Sequence, residues 1–358
     1  MTHEEWFKKE DKKSICVGTG LIALDIIFEE NRKSEIGILA GGSCGNVLII
    51  LSYLGWDSYP IAYLRDDNAS QKLLNDLEEW RVNTDFIYKS KNGNTPIIIE
   101  KFGISGRGKP WHRFEWNCPL CGLRFPKYKS IPLSEITKIN KNIPEVSVFY
   151  FDRVRKSSLE LAKNSKQKGA IVVFEPSGVT NQSIFFECLE MADIVKYSRE
   201  RLGKYKNVIG SINIPLEIET LDEEGLMYRF NGKEKYKGNW KKIQSYPVKE
   251  IKDTVGAGDW CTAGLIHGLG KKGRKGFENA SEKEVQEALE FGQLLSAFKC
   301  YYEGARGCMY DTSTEDFKRI IYAIWEGKDP LEFIENSKKE LKSKYYVNIC
   351  PFCCEEMK

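Results

Sequence analysis

Histidine is scarce in this sequence. Its 358 residues include three, His3, His112 and His267, which argues against a catalytic or metal centre built on imidazole. No excess of one charge sign is present either. The 54 Lys and Arg against 51 Asp and Glu leave a formal charge of +3, with signs interspersed, so neither nucleic acid nor a membrane is expected as a partner. The opening residues, Met1-Thr2-His3-Glu4-Glu5, lack the apolar core of a secretory signal, and a cytoplasmic location is expected. Repeats and low-complexity tracts are absent. One uncharged run, Ile36 to Trp56, is long enough to cross a bilayer. Its middle, Gly41-Gly42-Ser43-Cys44-Gly45-Asn46, adds little apolar burial. A strand, a glycine-rich turn and a buried helix explain that run better. What is abundant is ordinary: 41% hydrophobic and 29% charged residues describe a soluble globular chain able to bury one large core. The eleven cysteines are an odd number, and several lie inside apolar runs, which suits reduced thiols.

The chain alternates strand-like and helix-like segments. Strands are predicted at Ser14–Val17, Tyr59–Leu64, Asp85–Tyr88, Thr95–Glu100, Trp111–Trp116, Val146–Phe151, Ala170–Phe174 and Ala192–Tyr197. Shorter ones follow at Asn207–Ile212, Leu216–Thr220 and Gly225–Phe230. Helices are predicted from the Gly41–Asn46 stretch to a stop at Gly55, then at Gln71–Trp80, Ser157–Gln167, Glu284–Tyr302, Thr312–Trp325 and Pro330–Ser337. Such alternation implies an α/β fold, a mostly parallel sheet flanked by helices. Gly18-Thr19-Gly20-Leu21-Ile22-Ala23 fits the G-x-G-x-x-A dinucleotide pattern. It lacks the amphipathic helix and the ribose-binding acid that pattern needs, so an oxidoreductase is a minor rival.

The most informative stretch is Asp253-Thr254-Val255-Gly256-Ala257-Gly258-Asp259, which opens an uncharged, helix-compatible run. Two carboxylates bracket a loop of small residues. Unpaired amides at a helix N-terminus bind anions, and a carboxylate set there suits a base that takes a proton from an attacking hydroxyl.

That stretch resembles the C-terminal signature of the ribokinase-like (PfkB) family of carbohydrate and nucleoside kinases. Gly41-Gly42-Ser43-Cys44-Gly45-Asn46 is similar to the family's first signature, Gly-Gly-x-x-x-Asn, and the resemblance covers most of the chain. It implies a three-layer ribokinase-like domain over 14–340, after an N-terminal tail over 1–13. A small β lid with a cysteine-containing insertion is expected over 89–130, and a tail over 341–358. By match, Asp259 is the catalytic base, and the Gly256, Ala257 and Gly258 amides are the anion hole. Asp25, Gly41, Gly42 and Asn46 hold the acceptor. Asp253, Thr254, Glu200, Gly304 and Ala305 serve the nucleotide and, in some members, a monovalent cation. ATP and Mg²⁺ are the implied cofactors. The implied partner is a small sugar or nucleoside, with the lid as a surface through which two copies could pair. The chain departs from the family in two places. Glu175-Pro176-Ser177 stands for Asp-Pro-Asn, and Ser198-Arg199-Glu200-Arg201 stands for Asn-x-x-Glu, with Glu200 shifted by one. The second departure keeps a sugar-binding pseudokinase open as an alternative. Arg153 and Arg201 are candidate phosphate contacts. Trp111 to Trp116 alternates aromatic and polar residues, suiting a strand that faces a ligand, a partner or the lid's own core.

Cys118-Pro119-Leu120-Cys121-Gly122 and Cys350-Pro351-Phe352-Cys353-Cys354 fall outside the family pattern. Each C-x-x-C can aim two thiolates at one ion. Cys118, Cys121, Cys350 and Cys353 together would complete a tetrahedral structural zinc site that pins the C-terminal tail to the lid.

Overall fold

The computed structural model describes residues 6–8, 12–29, 36–104, 110–119, 121–231 and 238–337. Its strands are β1 (Ile15–Thr19), β2 (Ala23–Glu29), β3 (Ile36–Gly41), β4 (Asp57–Arg65), β5 (Ile87–Ser90), β6 (Ile97–Ile104) and β7 (Pro110–Glu115). They continue with β8 (Val148–Phe151), β9 (Ile171–Phe174), β10 (Ile194–Ser198), β11 (Leu216–Thr220), β12 (Leu226–Phe230) and β13 (Lys241–Ile243). Its helices are α1 (Ser43–Tyr53), α2 (Asn68–Glu79), α3 (Leu133–Asn142), α4 (Lys156–Gln167), α5 (Gln182–Met191), α6 (Arg199–Leu202) and α7 (Lys206–Ser211). They end with α8 (Ala257–Leu269), α9 (Gly273–Glu278), α10 (Glu282–Cys300), α11 (Gly307–Asp311), α12 (Thr314–Trp325) and α13 (Leu331–Ser337).

A nine-stranded sheet runs in the order β13-β12-β11-β10-β9-β8-β1-β4-β5. It is parallel from β11 to β5, with β12 and β13 antiparallel at one edge. Strands β8 and β9 are apolar at every position because helices cover both faces. Successive residues of a strand point to opposite faces, and the core divides accordingly. Cys16, Val148, Tyr150, Ile171 and Val173 pack with α1, α8 and α10 on one side. Val17, Phe149, Phe151, Val172 and Phe174 pack with α4 and α5 on the other. The four-stranded lid, β3-β2-β6-β7, draws on strands far apart in sequence: β2 pairs antiparallel with β3 and parallel with β6.

The uncharged run from Ile36 resolves into β3 and α1, the latter followed by Gly55 at φ 96°, a helix stop that glycine favours. No helix among the described residues is long and apolar enough to cross a membrane. After Gly20 the chain enters strand β2 three residues later instead of a helix, which removes the dinucleotide reading. Asn207–Ile212 corrects the strand expected there: it lies almost wholly in α7, with Ile209 buried beneath it. Three apolar residues in so short a run do not separate the two periodicities. Helices α3, α5 and α9 and strand β13 had no distinct sequence signal.

Candidate active site

Gly256 is the pivot of the site. Its φ of 79° caps α8 in a left-handed conformation, and a Cβ there would lie 2.7 Å from the Ala305 Cα. Only glycine meets both demands. The helix starts at Ala257, so Asp259 falls in its first turn. The Ala257 amide turns back onto the Thr254 carbonyl at 3.1 Å. The amides of Gly256, Gly258 and Asp259 find no acceptor among the described residues. Three unpaired donors thus stand together at a helix N-terminus, the arrangement that attracts an anion.

The half-buried Asp259 carboxylate accepts the Asn46 Nδ2 amide at 2.8 Å. Asn46 lies in α1, so this bond joins the first signature to the last. Its Oδ1 accepts Arg306 Nε at 3.2 Å, which fixes the amide with its NH₂ side toward Asp259. The buried Arg306 guanidinium also donates to the Ala40 carbonyl, to Asp76 at 2.8 Å and to the Tyr310 hydroxyl at 3.1 Å. On the other side Lys196, 2% exposed, donates to Glu175 Oε1 at 2.5 Å and to the Gly258 carbonyl at 3.2 Å. Glu175 Oε2 accepts the Thr262 hydroxyl at 2.6 Å.

Burial first, and then the Glu175 charge, raise the Asp259 pKa to about 7; Asn46, Lys196 and Arg201 oppose that rise. A base poised near neutral pH is favoured for proton transfer. Asp25 is likewise raised to about 7, mainly by burial, against the pull of the Gly42 amide and Arg306. The Gly42 N–H reaches Asp25 Oδ2 at 3.4 Å, and a Cβ on Gly41 would sit 1.7 Å from that oxygen. Asp25 Oδ1 is enclosed without a hydrogen-bond partner among the described residues. A hydroxyl donor would satisfy it.

The structure therefore brings Asp25, Gly41, Gly42, Asn46 and Asp259 into one connected set. Asp253, Gly304 and Ala305 lie beneath the loop: Asp253 accepts the Gly304 N–H at 2.9 Å, and the Ala305 carbonyl accepts Trp260 Nε1 at 3.0 Å. Thr254 is exposed, and Glu200 is exposed in α6 at the end of β10. Arg201 is near enough to act on Asp259. Arg153 instead pairs with the buried Asp152 at 2.9 Å and lies over the Tyr128 ring. Sequence reasoning missed Lys196, Arg306 and Thr262. The signal for Lys196 was a lone charge inside an otherwise buried strand.

Cys118 is buried and Cys121 exposed. The turn between them closes through Gly122 N–H to the Cys118 carbonyl at 2.9 Å, with Gly122 at φ 73°, a fold suited to a metal knuckle. Cys350 and Cys353 lie outside the described residues. Among the described residues no group of three or more His, Cys, Asp or Glu is arranged for a metal ion.

A mostly parallel sheet with a strand lid, and an acid in the first turn of a helix whose leading amides are unpaired, are the features of a small-molecule kinase of the ribokinase-like kind. The chain belongs to the pfkB family carbohydrate kinases, whose pattern matches residues 11–101 and 216–312. A probable fructokinase of Arabidopsis thaliana is 24% identical over 331 residues, covering 81% of this chain and 93% of its own. The aminoimidazole riboside kinase of Salmonella enterica, solved with aminoimidazole riboside and an ATP analogue, superposes with a TM-score of 0.63 at 17% identity. It covers 86% of this chain and 99% of its own. A fructokinase double mutant of Vibrio cholerae O395, solved with fructose, ADP and a potassium ion, gives 0.59 at 17% identity over 83% and 95%. The protein is a phosphotransferase with an alcohol group as acceptor.

Proposed function

We propose that the protein transfers the γ-phosphoryl group of ATP to a hydroxyl of a sugar or sugar-like substrate, a nucleoside being the alternative acceptor of the same site. The observation that carries this reading is the Asn46–Asp259 bond at 2.8 Å, set beside the unpaired amides of the Gly256 turn. Asp25, Gly42 and Asn46 would hold the acceptor hydroxyls. Asp259 would accept the proton as the hydroxyl oxygen bonds to phosphorus and the bond to the ADP oxygen breaks. The amides of Gly256, Gly258 and Asp259 would hold the transferring oxygens. Such a transfer asks the protein mainly for positioning and charge stabilisation. Magnesium would supply charge neutralisation on the phosphates, with Glu200 as the carboxylate that the family resemblance assigns to it. Asp253, Thr254, Gly304 and Ala305 would shape the nucleotide end. The names of the fructokinase relatives support a sugar acceptor. We further propose a structural zinc held by Cys118, Cys121, Cys350 and Cys353, and a cytoplasmic enzyme with residues 14–340 as its kinase domain. Melting shifts with ATP, NAD and a panel of sugars and nucleosides test the assignment. Stabilisation by ATP and by at least one sugar or nucleoside is expected; stabilisation by NAD alone would overturn it.

A further inference from the structure

Beneath the anion-binding turn lies a second cluster of charge. Asp253 is buried at the start of the turn. Its Oδ1 accepts the Val255 N–H at 3.0 Å and its Oδ2 the Gly304 N–H at 2.9 Å. Lys299, in the last turn of α10, is fully buried, at 0% exposure. Its Nζ donates to the Asp253 carbonyl at 2.7 Å and lies 3.4 Å from Asp253 Oδ2. Glu100 of the lid strand β6, 1% exposed, meets Asp253 side chain to side chain. Burial first, then Asp253 and Asp25, raise its pKa far above the usual carboxylate range, so it keeps its proton at neutral pH.

The Lys299 amine and the Asp253 oxygens are thus enclosed together in direct contact. The Vibrio cholerae fructokinase was solved with a potassium ion, and the resemblance of Asp253, Thr254, Gly304 and Ala305 would bring such an ion to this part of the chain. The residues present do not fit it. The carbonyl and carboxylate oxygens that an alkali cation would take are held by an ammonium, which is close to potassium in size. A second monovalent cation there would have to share those oxygens with Lys299, setting two cations side by side in the interior, which is strongly disfavoured.

We propose that the Lys299 side chain is a built-in monovalent cation, which ties the Asp253 turn to the Gly304 loop and makes the enzyme independent of potassium. Lys299 is a positioning residue: it holds the base of the turn whose amides face the phosphoryl group. The inference rests on the kinase reading for its effect on turnover, but the binding half stands without it.

The test compares wild type with Lys299→Ala and Lys299→Met in potassium, sodium and tetramethylammonium chloride at equal ionic strength. Melting temperature and turnover are both read. Wild type should melt at the same temperature in all three salts and vary less than about twofold in turnover. Lys299→Ala, with space opened at the oxygens, should lose at least ~10-fold in turnover in tetramethylammonium, about 1.4 kcal/mol, and regain stability and turnover in potassium but not in sodium. Lys299→Met fills the same space without charge and should not respond. Potassium activation or stabilisation of wild type would overturn the proposal, as would a Lys299→Ala protein indifferent to the cation. If neither variant folds, the wild-type salt comparison still decides. If no acceptor is turned over in any salt, the kinase reading fails while the melting data still judge the cation.

Discussion

At the scale of single residues, the site depends on a carboxylate whose proton affinity has been raised. In the proposed mechanism Asp259 acts as a base only when ionised, and its pKa of about 7 places that change near neutrality. The value of kcat/KM should therefore climb roughly tenfold per pH unit below about 7 and level off above it. A profile flat down to pH ~5 would contradict the assignment. The same shift affects stability. A carboxyl that binds its proton more tightly when folded stabilises the native state below its unfolded pKa, ~4, and that contribution is lost as pH rises through the folded value. Asp259→Asn should thus melt like wild type at low pH and higher above pH ~7, by ~1–2 kcal/mol after allowing for partial solvent screening. Calorimetry across that range checks the sign. Asp25, Asn46, Gly256 and Asp259 were legible in the sequence because small residues and acids in a fixed order leave few alternative uses. Arg306 and Lys299 were not. Each stands in the sequence as one charge beside apolar neighbours, and its partners, Asp76 and Asn46 for one and Asp253 for the other, become adjacent only when distant segments pack.

At the scale of elements, the alternation of strands and helices pointed to a mostly parallel sheet covered by helices, and the even and odd residues of β1, β8 and β9 divide between two cores as strand geometry requires. What failed was the short connection after β10, where α6 and α7 stand. Next to it, β11 and β12 carry a cross-strand pair that the sequence did not announce. Glu217 lies opposite Arg229 in the register, is 0% exposed, and bonds to the guanidinium and to the Tyr197 hydroxyl. Trp240 covers Arg229 at 5.1 Å. Removing one partner strands the other charge in the interior. Glu217→Ala should cost about 3–5 kcal/mol in denaturant unfolding, whereas Glu217→Leu with Arg229→Met should restore most of it. Equal losses in the single and double variants would show that packing, not charge, holds this edge together.

At the scale of the whole molecule, the lid is assembled from β2, β3, β6 and β7; Glu100 reaches from it to Asp253 beneath the Gly256 turn, and Asp25 to the Gly42 amide. Segment order along the chain does not reveal that convergence, though the family resemblance did supply the lid's existence. Trp111 lies over Gly103 of the neighbouring strand, its ring 3.2 Å from where a Cβ would be, while Phe114 and Trp116 are exposed. The aromatic alternation thus serves both the lid's packing and its surface. Next along the chain comes the Cys118 knuckle. If the four thiolates share one ion, the purified protein should carry about one zinc per chain, as a single tetrahedral thiolate site requires. Cys118→Ser should release it; a metal-free wild type would remove that site. The account as a whole turns on Asp259 taking a proton while its neighbours hold a phosphate. The most direct measurement is steady-state ADP formation by wild type and Asp259→Asn with the acceptor that the ligand panel selects. The expected result is a loss of at least ~100-fold in kcat with the KM for ATP little changed. Turnover close to wild type in Asp259→Asn would contradict it.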